Sequence, residues 1–581
     1  MILRALYDYY QRNQVNLAPI NMSYEEFHYA IIIDKDGCFI RIDELCNEDG
    51  TGKEILTLRP EERTSSPVPH YLGDNGSYVL GLKNVKIKEG FDYNKEFKEN
   101  KKNHESFVNY IDHLQSLAPE NELLNAIQNF YKQDLCRLYE QLHGLPLWKR
   151  IVGNLNKNFT FQINGSLEVS AEYKPLFQMV LDEKDNKNKE QICLITGQKA
   201  KPVTNTYSTF VLGGKSNGKL VSFQTSSGYD SYGKKSCLNS PISEEAEFKY
   251  TTALLYLLRK GSHNKFTIGK DNSTRTFLFW ASSNSEAAQA SENSLFALFG
   301  KSDDDDPNRR IELVKQTFMS IYNGKLASKK DDKFYILGLA PNAARIAVVY
   351  WTEVPLCEFA HTISRHFDDM EIVDTRKDQR PYAGLHAILG AVTLGGKSGD
   401  ATPNLPDAVV KSIFQGLSYP ASLYQSCIRR IRAEQSLTIT RVAIIKAYLN
   451  RLNDYNTKIQ IMLDKENANQ GYLCGRLFAV LDRIQEKAYG IHSIQERYMN
   501  SASSTPSSVF ATILNLSSHH SEKLDTGAKI SFEKLKQEII EKMPADGFPT
   551  HLDLQDQGRF FVGFYHQRQD FFTKKEDTVI E

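Results

Sequence analysis

A twelve-residue stretch, Gly395-Gly-Lys-Ser-Gly-Asp-Ala-Thr-Pro-Asn-Leu-Pro406, carries three glycines and two prolines and can sustain neither helix nor strand along its length. Ahead of it, short alternating apolar runs are interrupted by helical patterns. Behind it, almost every segment has the helical period. The pattern predicts an α+β N-terminal region over residues 1–395, followed by an all-α C-terminal helical bundle over 405–581. Some division is expected in any case, because 581 residues exceed what one hydrophobic core usually organises.

In the first region, His28-Tyr-Ala-Ile-Ile-Ile-Asp34 and Cys38-Phe-Ile-Arg-Ile-Asp43 read as two strands, with Lys35-Asp36-Gly37 as the hairpin turn. Further β-like runs are expected at 78–82, 159–163, 191–196, 219–223, 276–280 and 333–339, and helices at 105–115, 122–131 and 243–258. In the second region, Leu423, Tyr424, Cys427, Ile428 and Ile431 fall on one helical arc that leaves Arg429, Arg430 and Arg432 outside it. Leu473, Leu477, Val480, Leu481 and Ile484 make another core stripe, with Arg476, Arg483 and Lys487 beside it.

Composition excludes some classes. No run of eighteen apolar residues occurs, and the first residues lack the apolar core of a signal peptide, so a cytoplasmic protein without a membrane span is expected. The eight cysteines are scattered, with no Cys-x-x-Cys pair, which argues against a structural metal site or a disulfide framework. Lysine plus arginine equals aspartate plus glutamate, 71 each, so overall charge says nothing about nucleic acid. Its distribution does: between Gln425 and Arg451 stand six basic residues (Arg429, Arg430, Arg432, Arg441, Lys446, Arg451) against one acid, Glu434.

Catalytic patterns were weighed and none assembles an active site. Gly213-Gly-Lys-Ser-Asn-Gly218-Lys219 fits part of a phosphate loop. Leu220 stands where the magnesium-binding hydroxyl belongs, and a β-like run follows where a helix is needed. The same loop spells a hydrolase elbow around Ser216 and fails for the same reason. His366-Phe-Asp368-Asp369 superficially resembles a metal cluster, but adjacent aspartates point apart. The chain is therefore expected not to be an enzyme and to need no cofactor or metal; the competing expectation is a nucleotide- or metal-dependent nuclease or ATPase using one of these loops.

Three features suit nucleic acid. Gly73-Asp-Asn-Gly76 reads as a tight turn before a short strand, presenting Asn75, with the backbone of Gly76 and Ser77, as candidate readers of base edges. The stretch from Phe223 to Lys235 interleaves Phe223, Tyr229 and Tyr232 with glycines and with Lys234 and Lys235, a mixture suited to stacking or wedging beside phosphate contacts. Arg429, Arg430, Arg432, Lys446, Arg476, Arg483 and Lys487 are the candidate phosphate contacts along a strand.

These residues also carry a resemblance. Asp74-Asn75-x-x-Tyr78-Val-Leu-Gly81, Leu194-Ile-Thr-Gly197, Tyr232-Gly-Lys234, Pro241–Ala253, Leu337–Arg345, Tyr419–Leu423, Ile428–Glu434 and Met462–Phe478 resemble, in order, the large subunit of the subtype I-C CRISPR Cascade complex. The resemblance implies a non-catalytic role. The subunit recognises the protospacer-adjacent motif (PAM) in double-stranded DNA, while the guide RNA reads sequence by pairing. It assists unwinding, stabilises the R-loop and its displaced strand, and recruits the helicase-nuclease. It also implies contacts with the backbone, guide-capping and small subunits. Within the family, small subunits are commonly made by internal translation of this gene, and Met462 is the candidate start of such a product, residues 462–581.

Overall fold

The computed structural model describes residues 2–63, 66–83, 98–133, 141–142, 144–183, 188–223, 230, 232–269, 273–298, 307–376, 383–452 and 458–573. The backbone forms two compact units, one built from Leu3–Thr209 with Val221–Tyr256, the other from Phe210–Leu220 with Leu257–Glu581.

The first unit is organised by β1 (Met22–Ile33), which pairs antiparallel with β2 (Phe39–Glu44) through its second half and with β3 (Lys53–Leu58) through its first. The expected hairpin turn is present: Asp34 Oδ1 accepts hydrogen bonds from the Asp36 and Cys38 amides at 3.0 and 2.7 Å. A short strand β4 (Gly73–Asn75) runs directly into helix α1 (Gly76–Val79), and helices α2 (Lys101–Leu117) and α3 (Glu122–Lys132) follow. Strand β5 (Asn158–Ile163) lies parallel to β1 and antiparallel to β4, giving the order β2-β1-β5-β4 with β3 also on β1. Alternation on β1 sends Tyr29, Ile31 and Ile33 into one core, with Phe159 and Phe161 of β5, Phe107 and Ile111 of α2, and Ile127 and Phe130 of α3. Helix α4 (Glu244–Leu258) forms where the sequence predicts it.

Two strand expectations fail here. Residues Gly76–Val79 are helical, because Asn75 caps them. Residues 219–223 form no strand; Lys219 alone makes a parallel bridge, to Arg345, both being in the second unit. The run at 191–196 reduces to a two-residue strand, Gln191–Ile192.

The second unit begins with an antiparallel meander. Strands β6 (Lys265–Ile268) and β7 (Arg275–Ala281) precede helices α5 (Glu286–Leu298) and α6 (Pro307–Tyr322); β8 (Lys333–Asn342), β9 (Arg345–Pro355) and helix α7 (Leu356–Met370) complete it. Helices α8 (Leu405–Gln415), α9 (Ala421–Glu434), α10 (Ile439–Leu452) and α11 (Gln470–Tyr489) continue, then α12 (Ser493–Ala502), α13 (Phe510–Ser521), α14 (Thr526–Ile540) and α15 (Leu554–Asp570). The chain is thus α+β at first and predominantly helical at its end, as the periodicity predicts. One apolar core nevertheless runs from Phe266 on the sheet to Tyr565 on α15. Phe334 of β8 stacks on Phe359 of α7 at 4.5 Å, and Phe359 meets Phe414 of α8 at 5.7 Å. The 395–406 stretch therefore lies within the helical part of the second unit, after α7, and not at the division between cores expected there.

The centre of the helical part is the pair α11 and α15, which pack together more extensively than any other described elements. Their backbones touch because glycines line the seam. A Cβ on Gly475 would lie 2.8 Å from the Phe560 carbonyl carbon and 2.9 Å from the Phe564 amide nitrogen, and one on Gly563 would meet the Tyr472 backbone. Asn469 fixes the start of α11, its carbonyl accepting from the Tyr472 amide and its amide group donating to Asp556 of α15, both at 3.0 Å.

Candidate nucleic-acid interface

The Asp74–Val79 corner sits on the edge of the first sheet. Asp74 is fully buried and acts as an anchor: Oδ2 accepts from the His70 amide at 2.9 Å, Oδ1 from the Asn75 amide at 2.7 Å, and Arg63 pairs with it. The Arg63 guanidinium lies 4.0 Å over the Tyr78 ring. Burial holds the His70 imidazole down at about 4, so it is neutral at physiological pH. Asn75 is half-buried; its Oδ1 accepts from the Ser77 amide at 3.0 Å and the Ser77 hydroxyl at 2.6 Å.

That geometry corrects two expectations. The backbone N–H groups assigned to base reading are already engaged, Gly76 with the Leu155 carbonyl at 2.8 Å and Ser77 with Asn75. Asn75 also spends its carbonyl oxygen on the cap, so a bidentate contact to a base would require the cap to open. Its amide nitrogen is the half of the side chain that the cap does not use.

Tyr232 is displayed on a left-handed turn in the same unit. It has φ +52° and is 100% exposed, followed by Gly233 at φ +72° and by exposed Lys234 and Lys235. A tyrosine held in that backbone region and wholly in water is unfavourable by itself, a pattern concentrated at ligand-contacting positions. Asp230 ties the turn, accepting from the Ser236 amide at 2.9 Å, while Asn239 donates to the Lys234 carbonyl at 2.9 Å. Phe223 is half-buried, and Tyr229 lies outside the described residues.

The basic set divides. Arg429 is exposed with Ser426 as its hydrogen-bond partner at 3.0 Å, and Arg430 pairs with Glu434 one turn on. Arg432 is half-buried. Lys446 is not on a surface: it is 3% exposed and donates to the Asp368 and Asp369 carbonyls at 3.2 and 2.9 Å, at the C-terminal end of α7, with burial lowering its ammonium to about 8. Arg441 and Arg451 are likewise enclosed, Arg451 pairing with Asp369 at 2.6 Å over the Tyr419 ring. Arg476 is fully buried against Gln567 and Glu538, at 3.1 Å each. Arg483 pairs with Glu486 at 2.6 Å and covers Phe572, while Lys487 is exposed. Lys446 and Arg476 therefore leave the predicted strand surface: α10 around Lys446 and α11 from Gly471 to Asp482 are buried all round, so these two cations are internal.

The His366–Asp369 pattern is committed elsewhere. His366 is buried, hydrogen-bonded to the Tyr419 hydroxyl at 2.8 Å and held down at about 3 by burial. Asp369 serves Arg451. Among the described residues no group of three or more His, Cys, Asp or Glu side chains is placed to hold a metal, and no helix is long and apolar enough to cross a membrane.

One cavity of about 740 Å³ in the first unit escaped the sequence reading. Arg59 lies in its wall, 3.9 Å from the Tyr207 ring and paired with Glu247 at 3.1 Å, and Glu61, Glu62 and Glu244 line the rest. So many carboxylates repel phosphate.

The family model described as CRISPR-associated protein (Cas_Csd1) matches residues 6–572. No curated protein matches the chain.

Proposed function

The chain belongs to the CRISPR-associated Cas_Csd1 family and is a component of the Cascade complex, and on that premise we propose that it is the subunit that checks the protospacer-adjacent motif of a type I-C complex. The observation that carries this reading is the exposed, strained Tyr232 with Lys234 and Lys235 in the same unit as the anchored Asn75 corner. Tyr232 acts as a wedge between base steps, Lys234 and Lys235 neutralise phosphates, and the Asn75 amide contacts a base edge. The subunit then assists unwinding and holds the displaced strand of the R-loop. It contacts the guide RNA and the backbone, guide-capping and small subunits, and it recruits the helicase-nuclease without catalysis of its own.

The test is binding of reconstituted complex to duplexes carrying every flanking trinucleotide, with and without this subunit. Discrimination that depends on the subunit and falls in Tyr232→Ala supports the proposal. Binding indifferent to the flanking bases would reduce the chain to a scaffold.

The tail from Met462 is proposed to exist also as a separate small subunit. Met462 lies exposed ahead of α11, and the helices that follow supply their own central pair, α11 and α15. Mass spectrometry of the expressed gene should find a product beginning at Met462; its absence would remove this claim.

A further inference from the structure

A cleft of about 540 Å³ opens on the second unit, lined by Gln425, Ile428, Arg429, Arg432 and Ala433 of α9 and by Leu554 at the start of α15. Among the described residues its charged lining groups are two arginines, with no carboxylate. Arg432 is the unusual one. Its Nε and Nη2 are shielded from water and have no hydrogen-bond partner among the described residues. Burial also lowers its affinity for the proton, a sign that nothing offsets the loss of hydration. The nearest candidate counter-charge in sequence, Glu434, is taken by Arg430 and Arg441. Asp553, next to Leu554 in sequence, caps α15 by accepting from the Asp556 amide at 2.7 Å.

A guanidinium presents five N–H donors in a planar fork, and leaving the three on Nε and Nη2 buried and unpaired is unfavourable. Turning the fork into the adjoining cleft remedies this only if an acceptor is there. Arg429 stands beside the same opening, with only the neutral Ser426 hydroxyl on its guanidinium, and Gln425 adds a neutral amide. Two arginines and an amide side chain lining one opening match a tetrahedral oxyanion once the Arg432 fork turns into it.

We propose that this cleft is a phosphate-group site in which Arg432 swings from its shielded rest position to join Arg429. The inference deepens the strand-holding part of the function proposed above and rests on that reading for the identity of the phosphate's carrier, a nucleic-acid strand. Of the predicted basic cluster on α9 it selects Arg429 and Arg432 and sets aside Arg430, whose charge is satisfied by Glu434.

The experiment uses the full chain with two probes: a fluorescent oligothymidylate read by anisotropy across a salt series, and inorganic phosphate read by calorimetry. Arg432→Gln and Arg429→Gln should each weaken oligonucleotide binding about tenfold and flatten its salt dependence by about one unit of slope, and Arg430→Gln should not. Ala433→Phe, which fills the cleft without touching a charge, should act like Arg432→Gln and so separates occupancy of the site from a general loss of positive field. Melting temperatures within error of the parent identify variants that fold. Strand binding lost in Arg432→Gln, with inorganic phosphate binding absent throughout, assigns a strand phosphate; inorganic phosphate binding lost in the same variant assigns a free phosphate and retains the site. If neither probe distinguishes Arg432→Gln from the parent, the cleft is refuted. Motif discrimination by the assembled complex, measured on flanking bases, would be untouched by that result, and loss of motif discrimination alone would leave the cleft standing.

Discussion

Replacing Gly475 by alanine tests whether backbone contact between α11 and α15 holds the helical part together. The added Cβ would sit 2.8 Å from the Phe560 carbonyl carbon and 2.9 Å from the Phe564 amide nitrogen, with the Phe560 oxygen nearer still. Ordinary contact begins at 3.4 Å, and the obstructing atoms are backbone, so neither can rotate away. The helices must part by at least roughly 0.5 Å, which forfeits about a quarter of the dispersion attraction along the seam. Overpacking of this kind costs about 3 kcal/mol, and the better helix propensity of alanine returns about 1 kcal/mol, a net loss of about 2 kcal/mol. In a chain of two units a single melting curve mixes transitions, so the suitable readout is amide hydrogen exchange within residues 470–489 and 554–570. Protection there should fall about thirtyfold while the β1–β5 amides of the first unit keep theirs. Exchange as slow as in the parent, or slower as propensity alone would dictate, would refute the close-packed seam.

Three further outcomes follow from groups already described. Asn75→Asp keeps the cap oxygen and removes the amide, whereas Asn75→Ala removes both; Asn75→Ala should lose about 1 kcal/mol of stability and Asn75→Asp little. Target affinity of the complex should nevertheless fall for both, and normal binding by the aspartate variant would exclude a base contact through the amide. Asp74→Ala should destabilise the first unit by about 3 kcal/mol, since it strands Arg63 against Tyr78 without its carboxylate; a thermal melt checks this. Lys446 binds its proton less tightly folded, at about 8, than unfolded, so the unfolded chain is the more protonated between there and the ordinary lysine range. Stability of the parent relative to Lys446→Met should therefore rise by about 3 kcal/mol from pH 8 to 10.5, read by urea denaturation; an equal gap at both ends would show that the ammonium is not desolvated as described.

The sequence was most legible where one periodicity ruled a segment. Tyr29, Ile31 and Ile33 alternate into a core, and Leu423, Cys427 and Ile431 lie on one face of α9, so both elements formed as their patterns require. It was least legible where a local hydrogen bond or the depth of an element decided. Tyr78–Leu82 has strand-like composition, but the Asn75 side chain opens a helix there. Lys446 and Arg476 sit beside apolar stripes in the sequence, yet α10 and α11 are buried on every side at these positions, and their charges are met by backbone carbonyls and by Gln567 and Glu538. Nothing in a linear pattern separates a solvated arginine from one enclosed by a helix many residues away. The sequence marks Asn75 by its turn and Tyr232 by its glycine- and lysine-flanked aromatics; the shielding of Arg432 depends on packing alone.

The pairing of α11 with α15 has a consequence for how the chain comes into being. The two helices that share the innermost seam are the first and last of the tail, with α12, α13 and α14 strung between them. While the chain is being made, α11 waits with its glycine-lined face uncovered until α15 emerges. A premature stop near residue 553 would remove the keystone of the bundle instead of trimming its edge, so the tail should tolerate additions after α15 far better than losses before it.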